Sequence, residues 1–256
     1  MAAARDVRHG KPDATPGHEV LAVVLQVRGG VLSVLLWQRA RPPHRGKWAL
    51  PGGVLGGTED LGPSIRRQLA AKVDVRELSH LEQLDTRGQV DRHPDRRVIA
   101  TAYLGLVPAD LDPDVPQDTT WHPVDRMPPM AYDHAAIVAA GRERLRSKLS
   151  YTNLGFALAP PDFTISQLRG YYSAALGHEV SATNLQRVLL RRRQIEPTGR
   201  TAPPGPYGGR PAELFRFRER RLEITDGFAV LRPPTRPPDR PAVRDPGRPP
   251  GGTPRR

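Results

Sequence analysis

Apolar residues gather in two blocks near the start of the chain. Glu19 to Val27 (EVLAVVLQV) and Val31 to Arg39 (VLSVLLWQR) are rich in aliphatic and β-branched residues. They are separated by Arg28, Gly29 and Gly30, which predicts two antiparallel strands joined as a hairpin. Arg41 to Lys47 (RPPHRGK) reads as a loop, because two prolines and a glycine cannot continue a strand. Trp48 to Leu50 is a short apolar run ended by Pro51, Gly52 and Gly53. A helix is predicted from about Asp60 to Lys72: Ile65, Leu69 and Val73 recur at a spacing of four, and Pro63 falls in the first turn, where its missing N–H is tolerated. Strands are predicted at Leu78 to Thr86, Val98 to Val107 and Thr120 to Val124, with a long polar loop from Arg87 to Arg97. A second helix, His134 to Leu149, carries Val138, Gly141, Leu145 and Leu149 at helical spacing. Mixed strands with a few helices give an α+β class.

After Ser150 the pattern shortens. Asn153 to Leu158 reads as one short helix, Ile165 to Leu176 as a second stopped by Gly177, and Ala182 to Arg193 as a third capped by Ser181. Glu196 to Gly199, a Gly and Pro loop to Arg210, and Ala212 to Arg218 then form a hairpin, so the order is that of a winged helix-turn-helix. The expected division is a frayed tail over 1–17, a first domain over 18–149, a winged helix-turn-helix over 150–232, and a disordered basic tail over 233–256, where nine of 24 residues are proline.

Charge sharpens this division. The formal net charge is +12, which points to a polyanionic partner, nucleic acid first and an acidic membrane surface second. Residues 1–150 hold 21 basic and 18 acidic side chains, 151–232 hold 12 and 7, and 233–256 hold 6 and 2, so the excess lies towards the C-terminus. Arginine outnumbers lysine 35 to 4 beside 29 Pro and 24 Gly, a composition typical of GC-rich codons, so placement carries more weight than abundance. The absence of cysteine removes disulfides, thiolate metal sites and a cysteine nucleophile. The histidines show no metal-ligand spacing, and no Ser, His and Asp arrangement stands out. The N-terminus lacks the apolar block of a signal peptide, and the runs Leu21 to Leu25 and Val34 to Trp37 are far too short to span a bilayer. A cytoplasmic protein with no membrane partner is expected.

The run from Gly53 to Val75 resembles the Nudix box, the loop, helix and loop of enzymes that hydrolyse nucleoside diphosphates linked to another group. Gly53, Glu59, Arg67, Leu69 and Val75 match that pattern; Gln68, Ala71, Lys72 and Asp74 depart from it. Pro43, Gly46, Trp48, Leu50, Pro51 and Gly52 also look like the approach to the box. The departures fall on the chemistry. Carboxylates at relative positions 1, 4 and 5 share one helix face and hold Mg²⁺ through oxygen ligands, and the metal neutralises phosphate and activates water. Here those positions carry an amide, a methyl group and an ammonium, so no metal site is expected and Lys72 can itself neutralise a diphosphate. The candidate ligand residues are Arg39, Trp48, Gly52, Gly53, Glu59, Arg67 and Lys72. Alternatives stay open for three: Trp48 as core or as base platform, Arg39 as phosphate partner or solvated end, and Glu59 as site residue or as an acid favoured at a helix N-terminus.

In the helix from Ala182, Leu185, Val188 and Leu189 share a side, while Asn184, Arg187 and Arg191 lie opposite or beside it, as in a helix presented to a major groove. Arg192 and Arg193 suit phosphates, and Arg210, beside Gly208 and Gly209 at the tip of the wing, suits the minor groove. With Thr183, these are the candidate DNA-binding residues. The pairing of a degenerate Nudix domain with this module is similar to the Nudix-related transcriptional regulators. The resemblance covers about residues 18–218 and includes Tyr132, Asp133 and His134, the runs Phe163 to Gly177 and Asn184 to Gly199, and Gly209 to Phe217. It implies a homodimeric bacterial repressor of NAD-metabolism genes that binds palindromic operator DNA and responds to ADP-ribose or a related nucleotide, with no cofactor required and no catalytic residues. The alternative is an active Nudix pyrophosphatase with an appended domain; a third reading is a nucleotide-binding protein whose basic tail holds nucleic acid nonspecifically.

Overall fold

A computed structural model describes residues 15–203 and 211–226. Residues 1–14 of the predicted N-terminal tail, the whole C-terminal tail and the wing tip with Arg210 lie outside these residues, while Gly17, assigned to the tail, opens the first strand. Strands β1 (Gly17–Arg28) and β2 (Val31–Gln38) form the expected hairpin. Its turn is Gly29 and Gly30, both at positive φ (55° and 80°), the geometry a two-residue hairpin turn requires. Strands β3 (Trp48–Ala49), β4 (Gly52–Val54), β5 (His80–Arg87), β6 (Val98–Leu106) and β7 (Thr119–Pro123) complete a seven-stranded mixed sheet. Its main path runs β3-β2-β1-β6-β5, with β4 on β1 and β7 on β2. Of the strand pairs named here, β1 and β6 run parallel and the others antiparallel.

One expectation changes here. The glycine pair expected only to end the Trp48 to Leu50 run is itself part of a strand, with Leu21 opposite Gly52 and Val20 opposite Gly53. A Cβ at Gly52 would lie 2.0 Å from the Val20 carbonyl oxygen, so only glycine permits this approach.

Side chains of β1 alternate between two cores, as the pleat dictates. Val20, Ala22 and Val24 pack with Ile65, Leu69 and Val73 of helix α1 (Leu61–Val73). Leu21, Val23, Leu25 and Val27 belong to the opposite core, under helix α2 (His134–Tyr151). Gly141 lets α2 cross β1 closely: a Cβ there would meet Val23 Cγ1 at 2.8 Å.

The C-terminal elements follow the predicted order. A single 3₁₀ turn (Leu154–Ala157) precedes α3 (Ile165–Leu176), α4 (Ala182–Arg191), β8 (Ile195–Thr201) and β9 (Glu213–Phe217). Helix α3 opens on a capping box, Thr164 with Gln167, and closes on left-handed Gly177. Helix α4 stops two residues before the expected Arg193, because Arg193 takes a left-handed φ of 54° and the amide of Gln194 turns back to Leu189 O at 2.9 Å. Phe156, Phe163, Leu168, Leu185, Leu189, Phe215 and Phe217 join the α2 side of the sheet in one apolar cluster. The two halves thus share a core rather than a linker. Among the described residues, no helix is long and apolar enough to cross a membrane.

Candidate functional site

The loop before α1 is organised by Glu59. One of its carboxylate oxygens accepts from the Gly56 amide and the Ser64 hydroxyl, each at 2.8 Å, and the other accepts from Arg67 Nε at 2.9 Å; Arg67 Nη2 reaches the first oxygen as well. The bond from Arg67, followed by that from Gly56, holds the Glu59 carboxyl down at about 2. Glu59 in turn raises the Arg67 pKa. These two residues, expected to meet a ligand, are directed at each other and the loop instead, and neither lines the cleft beside them. Of the two readings left open for Trp48, its position matches the core one, away from the cleft. Facing Gln38 across β2 and β3, it projects from the side opposite Ala49, sets its ring edge-on to His122 at 4.3 Å and packs on the apolar core.

The cleft itself encloses about 400 Å³. Four of the expected residues, Arg39, Gly52, Gly53 and Lys72, line it, together with Trp37, which takes the place foreseen for Trp48. Two cations lie near the Trp37 ring, the Arg39 guanidinium 5.8 Å and the Lys72 ammonium 5.7 Å from its centre. Arg39 is held by a 2.9 Å bond from Nε to Pro43 O, and its guanidinium lies 5.0 Å over Tyr132. Lys72 Nζ donates to Gly52 O. Desolvation lowers the Lys72 pKa; Glu19 opposes the shift, and Arg39 and Arg67 add to it. At Gly53, a Cβ would lie 2.6 Å from Oε1 of buried Gln68, whose amide donates to Val54 O at 3.3 Å. Among the described residues, no three His, Cys, Asp or Glu side chains are grouped closely enough to hold a metal ion.

The far wall was not foreseen as a site. Tyr132, with φ of 51°, stacks on His93 at 5.3 Å and meets His44 edge-on at 4.7 Å. His134, the first residue of α2, is buried, and its Nδ1 accepts the Leu50 amide hydrogen at 3.0 Å. Burial lowers its pKa to about 3. Behind them, buried Arg92 donates to Glu19 at 2.6 Å and to Asp133 at 2.9 Å, tying β1 to the start of α2. Desolvation acts to lower the Arg92 pKa, and its two carboxylate partners raise it on balance. These contacts join residues 41 to 84 positions apart, so no local periodicity announces them. Only the Tyr132, Asp133 and His134 triplet was visible beforehand, as part of a resemblance.

On the winged helix, Thr183, Asn184, Arg187, Arg191 and Arg193 are exposed. Arg187 Nη2 donates to Asn184 Oδ1 at 2.8 Å, so the two form one presented pair on α4. Arg192 departs from expectation. Its guanidinium donates to Ser150 O at 2.8 Å and pairs with Asp226, tying the end of α4 to the end of α2. Gln194, buried, adds a 3.3 Å bond to Thr152 O.

Comparison with known proteins matches both halves. Residues 15–141 fit the family model of the NUDIX domain, and residues 155–217 that of the NrtR DNA-binding winged helix domain. The ADPR responsive transcriptional repressor NtrR of Acinetobacter baylyi is 31% identical over 203 residues, covering 76% of this chain and 79% of that protein. The crystal structure of Shewanella oneidensis NrtR superposes with a TM-score of 0.68 at 30% identity, over 78% of this chain and 94% of that one. Its complex with a 27mer DNA gives 0.66 at 29% identity, over 78% and 93%. The chain belongs to the NrtR family, a Nudix domain joined to an NrtR DNA-binding winged helix domain.

Proposed function

We propose that this chain is a transcriptional repressor of NAD-metabolism genes. Its Nudix domain, within residues 18–149, binds ADP-ribose or a related nucleotide without cleaving it, and its winged helix, within 150–232, binds operator DNA. The carrying observation is the composition of the cleft wall: Arg39 and Lys72 lie near the Trp37 ring where a diphosphate needs neutralising. Facing the same loop, Gln68, Ala71 and Lys72 offer an amide, a methyl group and an ammonium, which do not suit a hard divalent cation. The names of the relatives, one ADP-ribose responsive and one seen with DNA, support the same reading. Paired heads on a palindromic operator call for a cytoplasmic homodimer. A ligand shifts such a repressor only by preferring one arrangement of its DNA-binding heads.

The test is a gel shift on the DNA upstream of the protein's own gene, at stated salt, with and without ADP-ribose. Sequence-specific binding altered by ADP-ribose is expected. Steady release of phosphate products from ADP-ribose with Mg²⁺ or Mn²⁺ would sink the silent-sensor reading in favour of a pyrophosphatase.

A further inference from the structure

The cleft contains a hydrogen-bond donor with no partner. Since His134 Nδ1 accepts the Leu50 amide hydrogen, the neutral ring carries its proton on Nε2. That Nε2 is buried and has no hydrogen-bond partner among the described residues, and the residue as a whole is only 3% exposed. His134 lines the cleft, and the tilted Tyr132 ring lies 5.3 Å away, itself held by Arg39, His44 and His93. A buried donor left unpaired is unfavourable, and so is the left-handed backbone of Tyr132, a residue with a bulky side chain. A ligand that supplies an acceptor and draws Tyr132 onto itself relieves both. Groups able to hold such a ligand surround the donor: Arg39, Lys72 and Arg96 for phosphate charge, Trp37 and Tyr132 for a ring.

We propose that His134 is a recognition donor of the cleft: its Nε2–H, sheltered beside Tyr132, is taken up by an acceptor oxygen of a nucleoside diphosphate derivative. The inference rests on the nucleotide-binding reading above and adds the residue that reports occupancy. Because His134 is the first residue of α2, the bond fixes the end of a helix whose last turn carries Ser150, the acceptor for Arg192. The neutral ring is suited to this task, since it donates without adding a charge to a wall that already holds three cations.

Two substitutions separate the role of Nε2 from that of Nδ1. Asn at 134 places an acceptor near Nδ1 and removes the distal donor; Gln places an amide donor near Nε2 and removes the proximal acceptor. By calorimetry, His134→Asn is expected to weaken ADP-ribose binding roughly 10- to 100-fold, the range for a lost hydrogen bond to a charged acceptor, and His134→Gln by less. In wild-type protein labelled with ¹⁵N-histidine, saturating ADP-ribose should move the His134 Nε2 resonance, a readout that needs no variant. Unchanged affinity in His134→Asn, or an unmoved Nε2 resonance with ADP-ribose bound, would overturn this role and leave the nucleotide reading intact. Wild-type protein that binds no ADP-ribose would overturn both.

Discussion

His134 also writes a pH dependence into the protein. Its ring is held neutral by burial, with Asp133 opposing that effect and Arg92, Arg39 and His44 reinforcing it, so the folded-state pKa is about 3 against an ordinary 6.5. Between those values the unfolded chain binds a proton that the folded chain refuses. Stability is therefore full above about pH 6.5 and falls as pH drops towards 3, by up to about 1.4 kcal/mol per unit for one group. Urea unfolding at pH 7 and pH 5 should show this slope in wild type and a shallower one in His134→Asn; equal slopes would refute the assignment. The more exposed His44, His93 and His122 have smaller downward shifts and contribute to the slope in both proteins. Below about 4.5, Glu59 and Glu82, each held at about 2, extend the acid loss in both. At this scale the Nudix box and its approach brought Gly52, Gly53 and Lys72 under consideration, and the structure places them on one cleft with Arg39 from the end of β2. The box did not show that Glu59 and Arg67 bond to each other outside the cleft, since a motif match does not say whether a charged pair faces a ligand or closes on itself. Trp37, Glu19 and Arg92 could not be weighed, because the strand registers that bring Trp37 and Glu19 to the cleft, with Arg92 bonded to Glu19, are set by the whole sheet.

Elements were far more legible. Runs of aliphatic and β-branched residues marked β1, β2 and β6, the four-residue stripe marked α1, and Gly177 and Ser181 marked the end of α3 and the start of α4. What stayed hidden were close approaches. Gly155 is one: it looks like any loop glycine, yet a Cβ there would lie 2.4 Å from Tyr172 Oη and 2.7 Å from Cε2. Tyr172 is buried in α3 and cannot swing outward freely. Gly155→Ala should therefore push α3 off the 3₁₀ turn at a cost of about 1–3 kcal/mol, typical of overpacking. Since α3 supports α4, operator affinity should fall. ADP-ribose affinity should hold, because the cleft is walled by β1 to β4, α1, the start of α2 and the loops carrying Pro43 and Arg96, none of them in the winged helix. Equal losses in gel shift and calorimetry would show that the substitution unfolds the molecule rather than displacing one support.

Across the whole molecule, the question is how an event at the cleft reaches the DNA. Helix α2, 18 residues and about 27 Å long, runs from His134 at the cleft to Tyr151 beneath the winged helix. Its far end is bonded to the end of α4 through Arg192, with Gln194 adding Thr152, and the shared apolar core fills the space between. Arg192 and Arg193 are adjacent in sequence but belong to different machinery. Arg193 is exposed, and each phosphate contact a cation makes steepens the salt dependence of binding, the slope of log K against log salt, by about 0.9. Arg193→Ala should flatten that slope by about this amount and leave the response to ADP-ribose intact. Arg192, turned inward to Ser150 and Asp226, should leave the slope unchanged when replaced by Ala. Its loss uncouples α4 from α2, so the change in operator affinity on adding ADP-ribose should shrink. Gel shifts over a salt series, each with and without ADP-ribose, measure both quantities. If Arg192→Ala flattened the slope as Arg193→Ala does while the ligand response survived, Arg192 would be a phosphate contact after all, and the tie between the helices would not carry the signal.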